Sequence, residues 1–481
     1  MSSIKGKIKT TLKQSQGKAR DLARSATESV EGNLERLLNK RITLGVTGFS
    51  GSGKTTLITS LIHQLQHFSE AQLAAFPPAI QERLLGVQMS SLNGLPLFPY
   101  QQGIEALTKG GWPEATRQES GCVLEIKYLA RPGLLKRRKP EIGRLLLELR
   151  DYPGEWLLDL PMLEMDYQTW SRQCFSLLDD GIRKSLASEL IAKLHEIDPL
   201  QPIASATLQC IWQTYVTYLQ QCQQAGFSMI QPGRWLHLTP EETEQTLPFI
   251  PLPALHSLSA EQIASAPDDA LVKVCERHYQ NYQKNSIKPF YRHTFQKVDR
   301  QLVLIDAVRT LSSGQPVFDD LRYALAQALQ SFDYGHNGFL TRLISPKIDR
   351  VVFAATKIDQ VLSDQHEAIR SLTANLVQDA KRRATFNAID MRCEAVAAVR
   401  SSTCVEYQGR QALQGITNDG PGMLLHPEIP EKLPEPDDWE AMKSWKLRRL
   451  LPPQGMQLTA GGRLPHIRLD SILNDLLGDR F

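Results

Sequence analysis

The sequence lacks several features that would assign it to a particular class. In its 481 residues no apolar run approaches the roughly 18 residues of a membrane span, and the first residues lack the apolar centre of a secretory signal. The net charge of +3 is too small to favour an acidic or a basic partner. The seven cysteines are odd in number and contain no Cys-x-x-Cys pair, which argues against a zinc site or a disulfide framework. We therefore expect a cytoplasmic protein with reduced thiols and two to four domains.

What the sequence does contain is a phosphate-binding loop directly after an apolar strand. Residues 48–55 read Gly-Phe-Ser-Gly-Ser-Gly-Lys-Thr, and the strand before them is predicted to begin near residue 41. In such loops the glycines let backbone N–H groups surround phosphate oxygens, the lysine reaches the β- and γ-phosphates, and the threonine hydroxyl ligates Mg²⁺. We expect a nucleoside triphosphate to contact Gly48, Ser50, Gly51, Ser52, Gly53, Lys54, Thr55 and Thr56.

A second motif follows two strands predicted at about residues 122–129 and 144–149. Asp151 closes the second strand and Gly154 comes three residues later, which is the Asp-x-x-Gly pattern of GTPases. In that pattern the carboxylate holds Mg²⁺, usually through water, and the glycine N–H meets the γ-phosphate. An ordinary turn at the end of a strand can also have the Asp-x-x-Gly sequence. Its position after the phosphate loop and the paired strands favours the GTPase interpretation.

A third motif concerns the base. Residues 355–359 read Ala-Thr-Lys-Ile-Asp after an apolar strand and form the threonine variant of the Asn-Lys-x-Asp guanine motif. The Asp359 carboxylate would accept hydrogen bonds from guanine N1–H and the N2 amine. Adenine lacks this donor pair, so ATP would leave the acid unpaired. The lysine stem is expected to lie over the base, and backbone in the loop after the next strand is expected to reach guanine O6. The other residues expected at the base are Thr356, Lys357, Ala398 and Val399.

The rest of the chain divides by pattern. Residues 1–40 are predicted to form a polar helix, in which six basic residues precede the first acid; weak peripheral contact with an anionic membrane is the alternative to a solvated helix. Prolines and glycines make 69–115 and the chain after residue 404 irregular in this prediction, apart from a short helix at 470–477. Helical periodicity dominates from 157 onwards. Apolar strands at 301–306 and 351–355 then indicate a parallel sheet.

These patterns predict an α/β fold in which a mainly helical insertion interrupts a nucleotide-binding domain. The expected segments are a basic N-terminal helix (1–40), the first part of the GTP-binding domain (41–156), the insertion (157–299), the second part of the GTP-binding domain (300–404) and a C-terminal extension (405–481).

The combined motifs resemble Ras-like GTPases, and more closely the YcjX-like family of stress-associated P-loop proteins. The resemblance is carried by residues 48–55, 112–113 (Trp-Pro), 151–156 (Asp-Tyr-Pro-Gly-Glu-Trp), 288–292 (Lys-Pro-Phe-Tyr-Arg) and 299–306. It covers most of the chain and implies a Ras-like P-loop sheet with a large, mainly helical inserted domain. It also implies a bacterial-type cytoplasmic protein that binds GTP or GDP with Mg²⁺. The usual context of the family is stress response and membrane-linked stress operons, so a location peripheral to the inner membrane is a further expectation.

Hydrolysis would require groups that act on the γ-phosphate. Thr116 is the expected switch threonine and Mg²⁺ ligand, with Thr108 as the alternative. Glu155 stands where Ras-like proteins carry glutamine. Its carboxylate either polarises the attacking water, with Lys54 and Mg²⁺ offsetting its charge, or is solvated and inert. Arg117 is a further candidate for stabilising transition-state charge. The expected catalytic residues are Lys54, Thr116 and Glu155, and the expected metal ligands are Thr55, Thr116 and Asp151.

Two other functions remain open at this point. In an ATPase or small-molecule kinase, Asp306 would be the Mg²⁺-linked carboxylate and Asp359 would be incidental. A scaffold would bind GTP for structure and hardly turn it over. The order of the motifs favours a stress-associated switch that slowly hydrolyses GTP to GDP and phosphate. We expect a guanine nucleotide and an unidentified protein, membrane-associated or not, as partners, and no nucleic acid.

Overall fold

The computed structural model of the chain describes residues 40–49, 51–115, 117–130, 142–178, 181–333, 348–383 and 389–481. The expectations for the basic helix before Lys40, for Ser50 and for Thr116 lie outside these residues. In the described parts of the chain, no helix is both long enough and apolar enough to span a bilayer. All seven cysteines are free thiols, as the sequence predicted.

Strands form a large sheet and a small one. Their bounds are β1 (Arg41–Gly48), β2 (Leu84–Ser91), β3 (Ser120–Leu129), β4 (Ile142–Asp151), β5 (Arg300–Ile305), β6 (Arg350–Ala355), β7 (Asp390–Ala395), β8 (Ser402–Tyr407), β9 (Arg410–Thr417) and β10 (Gly420–Leu424). The large sheet has the order β2-β3-β4-β1-β5-β6-β7, and the small one is the antiparallel meander β8-β9-β10.

The large sheet is parallel from β4 to β7. Strand β1 lies at its centre, between β4 and β5, and pairs in parallel with both. Strands β6 and β7 extend the parallel part, whereas β2 and β3 add an antiparallel edge beside β4. The carboxyl ends of β1, β4, β5, β6 and β7 therefore lie along one edge, where ligands bind in open α/β sheets. The predicted α/β, P-loop class of fold is confirmed.

Helices and their bounds complete the architecture. They are α1 (Lys54–Gln66), α2 (Pro77–Ile80), α3 (Tyr100–Thr108), α4 (Glu155–Asp159), α5 (Tyr167–Leu178), α6 (Gly181–Leu186), α7 (Ser188–His195), α8 (Ser205–Gln224), α9 (Pro240–Gln245), α10 (Ala260–Ser265), α11 (Leu271–Tyr282), α12 (Lys288–His293), α13 (Ala307–Ser312), α14 (Gln315–Asp333), α15 (His366–Arg383), α16 (Pro436–Met442) and α17 (Leu469–Leu477). A 3₁₀ turn at Gly233–His237 also bears on the site.

The two faces of the large sheet bury different sets of side chains. Helices α1 and α17 pack on one face, where their apolar residues form a single core with alternate residues of β1 and β4. On the opposite face, α14 and α15 share one continuous core with the helices between α4 and β5. The helical insertion is therefore joined to the sheet through common buried packing.

Two regions differ from the sequence prediction. Residues 69–115 were expected to be irregular, but they contain the edge strand β2 and the helix α3. The chain after residue 404 was also expected to be irregular, but residues up to Leu424 complete the small antiparallel sheet. Half-exposed strands with glycine and polar residues give only a weak periodic signal, because their pairing partners supply much of their stability.

Candidate functional site

The phosphate loop joins the central strand β1 to helix α1. Gly51 and Gly53 have φ of 76° and 79°, a left-handed conformation that residues with a Cβ rarely adopt. Helix α1 begins directly after Gly53, at Lys54. The backbone N–H of Ser52 donates to the carbonyl of Phe49 at 3.0 Å and closes the bend. Lys54, Thr55 and Thr56 of the first helical turn are all buried. The described residues of the loop thus have the left-handed glycines and the helix start that the phosphate-loop motif predicts.

Lys54 extends from the loop to the end of β4. Its Nζ lies 3.0 Å from Oδ1 of Asp151 and donates to the carbonyl oxygen of Tyr152 at 2.6 Å. The Lys54 and Asp151 side chains are only 9% and 2% exposed. Asp151 also accepts from the Ser120 hydroxyl at 3.4 Å. The parallel pairing of β1 with β4, which places Val46 opposite Asp151, brings these two motif residues together.

Gly154 lies against the start of the phosphate loop. A Cβ at this position would collide with the carbonyl of Gly48 and approach the Phe49 nitrogen to 3.2 Å. The Asp-x-x-Gly segment therefore requires glycine for close backbone approach, not for a positive φ, since Gly154 has φ of −65°. The structure brings this segment and the phosphate loop into direct contact.

The base motif reaches the same loop through Lys357. Its Nζ donates to the carbonyl oxygen of Gly51 and to Oδ2 of Asp306, each at 2.6 Å. Lys357 has φ of 60°, a left-handed conformation at the end of β6 that turns its stem toward the loop. The backbone N–H of Thr356 donates to Ile305 at 2.8 Å and fixes the strand end. The phosphate loop and the base motif are therefore in direct contact through Lys357.

Asp359 is buried and oriented by the loop that follows β7. Its Oδ2 accepts from the Ser401 backbone N–H at 3.0 Å and from the Ser401 hydroxyl. The Ser402 hydroxyl donates to the Asp359 carbonyl. Burial raises the pKa of Asp359, and the Ser401 hydrogen bonds oppose that rise. The sequence reasoning missed Ser401, although a serine directly after the expected Ala398–Val399 loop was visible.

The loop containing Ala398 and Val399 is held from helix α1. The Ser60 hydroxyl donates to the Ala398 carbonyl at 2.6 Å, and Val399 is buried. Because β7 lies beside β6, this loop lies at the same edge of the sheet as Asp359. The structure thus brings both backbone positions expected at the base to the edge that carries Asp359.

Glu155 is enclosed by the insertion. Its carboxylate oxygen Oε1 accepts from Gln223 Nε2 at 3.4 Å, and a Cβ on Gly233 would lie 2.6 Å from the Glu155 Cβ. The side chain is buried, so Glu155 is not solvated as that alternative expected, and its part in hydrolysis stays a prediction. Sequence reasoning missed Gln223 and Gly233, because no pattern around position 155 specifies which part of a distant insertion packs there.

His237 is a further group that the sequence did not indicate. Burial lowers the pKa of His237, the nearby Glu155 carboxylate opposes this effect, and the charges of Arg117 and Lys54 lower the pKa further. Arg117 itself is exposed. The insertion therefore contributes a titratable side chain within electrostatic range of the phosphate-loop lysine.

The helix that follows Gly154 is tied to the same insertion turn. Asp159, at the end of α4, accepts from the Gly233 backbone N–H at 2.8 Å and from the Tyr282 hydroxyl at 2.6 Å. The Arg234 guanidinium stacks over the Trp156 ring at 3.6 Å from its centroid. Burial raises the pKa of Asp159 to about 6, although the Tyr282 and Gly233 hydrogen bonds oppose it.

The expected metal ligands are only partly brought together. Thr55 lies in the buried first turn of α1, next in sequence to the Lys54 that contacts Asp151. A threonine hydroxyl and a carboxylate are hard oxygen donors of the kind Mg²⁺ takes together with nucleotide phosphates. Thr108, the alternative switch threonine, donates to the Ile104 carbonyl of its own helix at 2.8 Å. Within the described residues, no group of three or more His, Cys, Asp or Glu side chains forms a metal site.

Comparison with known proteins agrees with this geometry. A profile of the YcjX-like family, DUF463, matches residues 42–481. The chain is 36% identical over 458 residues to a protein of Escherichia coli K12 named Ras-like GTPase YcjX, covering 93% of this chain and 97% of that relative. It is 32% identical over 481 residues to a protein of the same name from Shewanella oneidensis MR-1, covering 94% and 97% of the two chains.

We expect Asp159→Asn to remove a pH-dependent loss of stability. The pKa of Asp159 is raised from 3.8 to about 6, so the folded state holds this proton more tightly than the unfolded chain. The stabilisation is complete below about pH 4 and is lost as the pH rises through about 6. Over that window wild-type protein should lose up to about 3 kcal/mol of unfolding free energy that the variant keeps, as measured by denaturant unfolding.

Asp166→Asn serves as the control for this measurement. Asp166 is exposed, and the Thr169 backbone N–H lowers its pKa. Its contribution is therefore present above the usual carboxyl range and is lost as the pH falls, which is the opposite sign. Parallel stability profiles for wild type and Asp159→Asn would contradict the assignment of the buried acid.

Proposed function

The chain belongs to the YcjX-like family, and we propose that it binds GTP and GDP with Mg²⁺ and slowly hydrolyses GTP to GDP and phosphate. The observation that carries this proposal is the contact of Lys357 with Gly51, because it joins the base motif to the phosphate loop at 2.6 Å. Phosphates bound at the loop and a base bound at residues 356–359 would then belong to one nucleotide site. The relatives' name, Ras-like GTPase, supports the same activity.

Guanine selectivity is supported by the environment of Asp359. The acid is buried, and Ser401 donates to one of its oxygens through both N–H and hydroxyl, which fixes the direction of the carboxylate. A fixed acceptor in a dry pocket favours a base with two adjacent N–H donors and penalises one without them. We therefore propose that Asp359 reads guanine N1–H and N2, with Thr356, Lys357, Ala398 and Val399 bordering the base.

The ATPase or kinase alternative requires Asp306 to be the metal-linked carboxylate. Asp306 instead pairs with Lys357 and accepts the Arg309 backbone N–H at 3.1 Å as the cap of α13. Asp151 is the acid beside Lys54. This division of roles supports Asp151 as the acid near the phosphates, and it favours the GTPase interpretation over the alternative.

In the proposed reaction, a water attacks the γ-phosphorus while the bond from that phosphorus to the β–γ bridging oxygen breaks. The water proton passes to the departing phosphate, and GDP keeps the bridging oxygen. Mg²⁺, when bound, offsets phosphate charge, and we propose Thr55, Thr116 and Asp151 as the residues that hold it, directly or through water. Lys54 would bind the β- and γ-phosphates. Glu155 would orient the attacking water, and Thr116 would respond to the γ-phosphate.

We further propose that the nucleotide state is transmitted to the insertion. Gly154 touches the phosphate loop, while Glu155 and Asp159 touch the turn at Gly233. A displacement of Gly154 with the γ-phosphate would therefore reach the insertion through α4, without an intervening element. A stress-associated switch role, a protein partner and peripheral contact with the inner membrane remain parts of this proposal that rest on the resemblance.

Asp359→Asn tests base selection. The substitution replaces an acceptor oxygen with an NH₂ group that faces the guanine amine donor to donor, whereas xanthine carries a carbonyl there. We expect GTP affinity to fall by at least about 10²-fold and affinity for xanthosine triphosphate to rise, measured with labelled nucleotides. Asp364→Asn, at an exposed position in the next turn, is the matched control. Equal GTP affinity in wild type and Asp359→Asn would remove the guanine assignment.

Glu155→Gln tests the proposed role of the carboxylate. Because glutamine keeps the shape and the contact to Gln223, we expect GTP affinity to stay within about threefold of wild type. The single-turnover rate should fall by about 10²-fold if the carboxylate polarises the water. The exposed Glu164→Gln is the control. A faster rate would identify charge repulsion as the main effect of Glu155. An unchanged rate would show that its negative charge is not needed, since a neutral glutamine can orient the attacking water.

A further inference from the structure

A second basic side chain lies at the bend of the phosphate loop. The Nη1 atom of Arg309 is 2.7 Å from the position that a Cβ on Gly51 would occupy, and its Cζ is 3.9 Å from the same point. Arg309 belongs to the short helix α13, which begins directly after β5. Its guanidinium therefore occupies the space that a side chain on the loop itself would fill.

The position of Arg309 is fixed while its charge is not neutralised. Its backbone N–H donates to Asp306 Oδ1 at 3.1 Å, which anchors the residue beside the end of β5. The other carboxylate oxygen of Asp306 is paired with Lys357 at 2.6 Å. Within the part of the chain that the structure describes, no acid forms an ion pair with the Arg309 guanidinium. An uncompensated cation at this loop favours the binding of a further anion.

Arg309 is exposed and borders a small cleft beside the loop. The cleft lies between the loop residue Phe49 and helices α8, α13 and α14, and Gln223, Arg309 and Thr310 are among its lining residues. Gln223 is also the residue that contacts Glu155. Gln223 thus lines the cleft that borders Arg309 and also contacts Glu155, the residue proposed to orient the attacking water.

We propose that Arg309 acts in cis on the phosphate chain of bound GTP and stabilises the negative charge that develops on the β–γ bridging oxygen. This rests on the proposed GTPase function. The reaction transfers the electron pair of the breaking P–O bond to that oxygen, so a cation beside it is worth more in the transition state than in bound GTP. Lys54 belongs to the first turn of α1, whereas Arg309 belongs to α13 and lies against Gly51 of the loop.

Arg117 is the competing candidate for this role. Its charge and the Glu155 carboxylate both act on the pKa of His237, which places Arg117 in a region where an acid offsets part of its field. The acid beside Arg309, Asp306, is paired with Lys357 instead, and the Arg309 guanidinium lies directly against the loop at Gly51. The observations therefore favour Arg309 as the cation that acts on the phosphates.

The experiment compares Arg309→Ala with Arg117→Ala and with Arg410→Ala, an exposed position in the small sheet that controls for the loss of one charge. For each full-length protein we would measure GDP affinity with a fluorescent analogue, the single-turnover rate of GTP hydrolysis, and binding of GDP with aluminium fluoride. We expect Arg309→Ala to keep GDP affinity within about threefold, to lose at least about tenfold in rate, and to lose the aluminium fluoride complex. Arg309→Lys should recover only part of the loss, because lysine lacks the planar fork of donors.

Three results would overturn the proposal. The first is a rate and aluminium fluoride affinity of Arg309→Ala equal to those of Arg410→Ala. The second is loss of both properties in Arg117→Ala instead. The third is a tenfold or greater loss of GDP affinity in Arg309→Ala, which would assign the residue to ground-state binding or loop structure. Lys54→Ala distinguishes a failure of the Arg309 proposal from a failure of the proposed GTPase function. If Lys54→Ala keeps wild-type nucleotide affinity, the proposed function itself is wrong, independently of the result for Arg309.

Discussion

The ammonium group of Lys357 is the interaction on which the candidate site depends. It lies between the Gly51 carbonyl and the Asp306 carboxylate, and so joins the ends of β5 and β6 to the loop after β1. Hydrogen bonds that involve a charged group contribute about 1.5–3 kcal/mol each, which offsets the cost of the left-handed backbone at Lys357. Without this contact, the loop bend and the base motif would have no direct side-chain link. The same carboxylate caps α13, and thereby sets where Arg309 lies.

The second constraint is the shared core of the insertion and the sheet. Aromatic residues such as Trp170, Trp235 and Tyr282 are buried in the same cluster as Phe353 of the central sheet. A rigid, well-packed core transmits displacement, because its interior tolerates little change in volume. The turn at Gly233 is held both by this core and by hydrogen bonds to Asp159. The insertion thus packs directly against α4. Any movement of α4 must either move the insertion with it or break the hydrogen bonds between Asp159 and the turn at Gly233.

Much of the fold and the motif positions could be predicted from the sequence, because they depend on local spacing. The phosphate loop is predicted by a motif of eight residues, and the parallel sheet is predicted by apolar strands that alternate with helices. The contributions of His237, Gln223 and Arg309 could not be predicted, because each reaches the site from a segment distant in sequence and its place is decided by tertiary packing. Ser401 follows the loop that was predicted at the base, but spacing alone does not show that its hydroxyl donates to Asp359. Strand β2 was missed for a related reason, since it gains its stability by pairing with β3.

Asp359 and Asp159 are both buried acids, but different parts of the chain supply their hydrogen bonds. Burial raises the pKa of each of these acids. Ser401, which donates to Asp359, lies in the loop that follows β7 of the large sheet. The donors to Asp159 come from the insertion. Asp359 is therefore held by the loop after β7, whereas the segment after Gly154 is held by the insertion. A change in the insertion can reach Glu155 without altering the hydrogen bonds that hold Asp359, so the positions of these two acids are structurally separable.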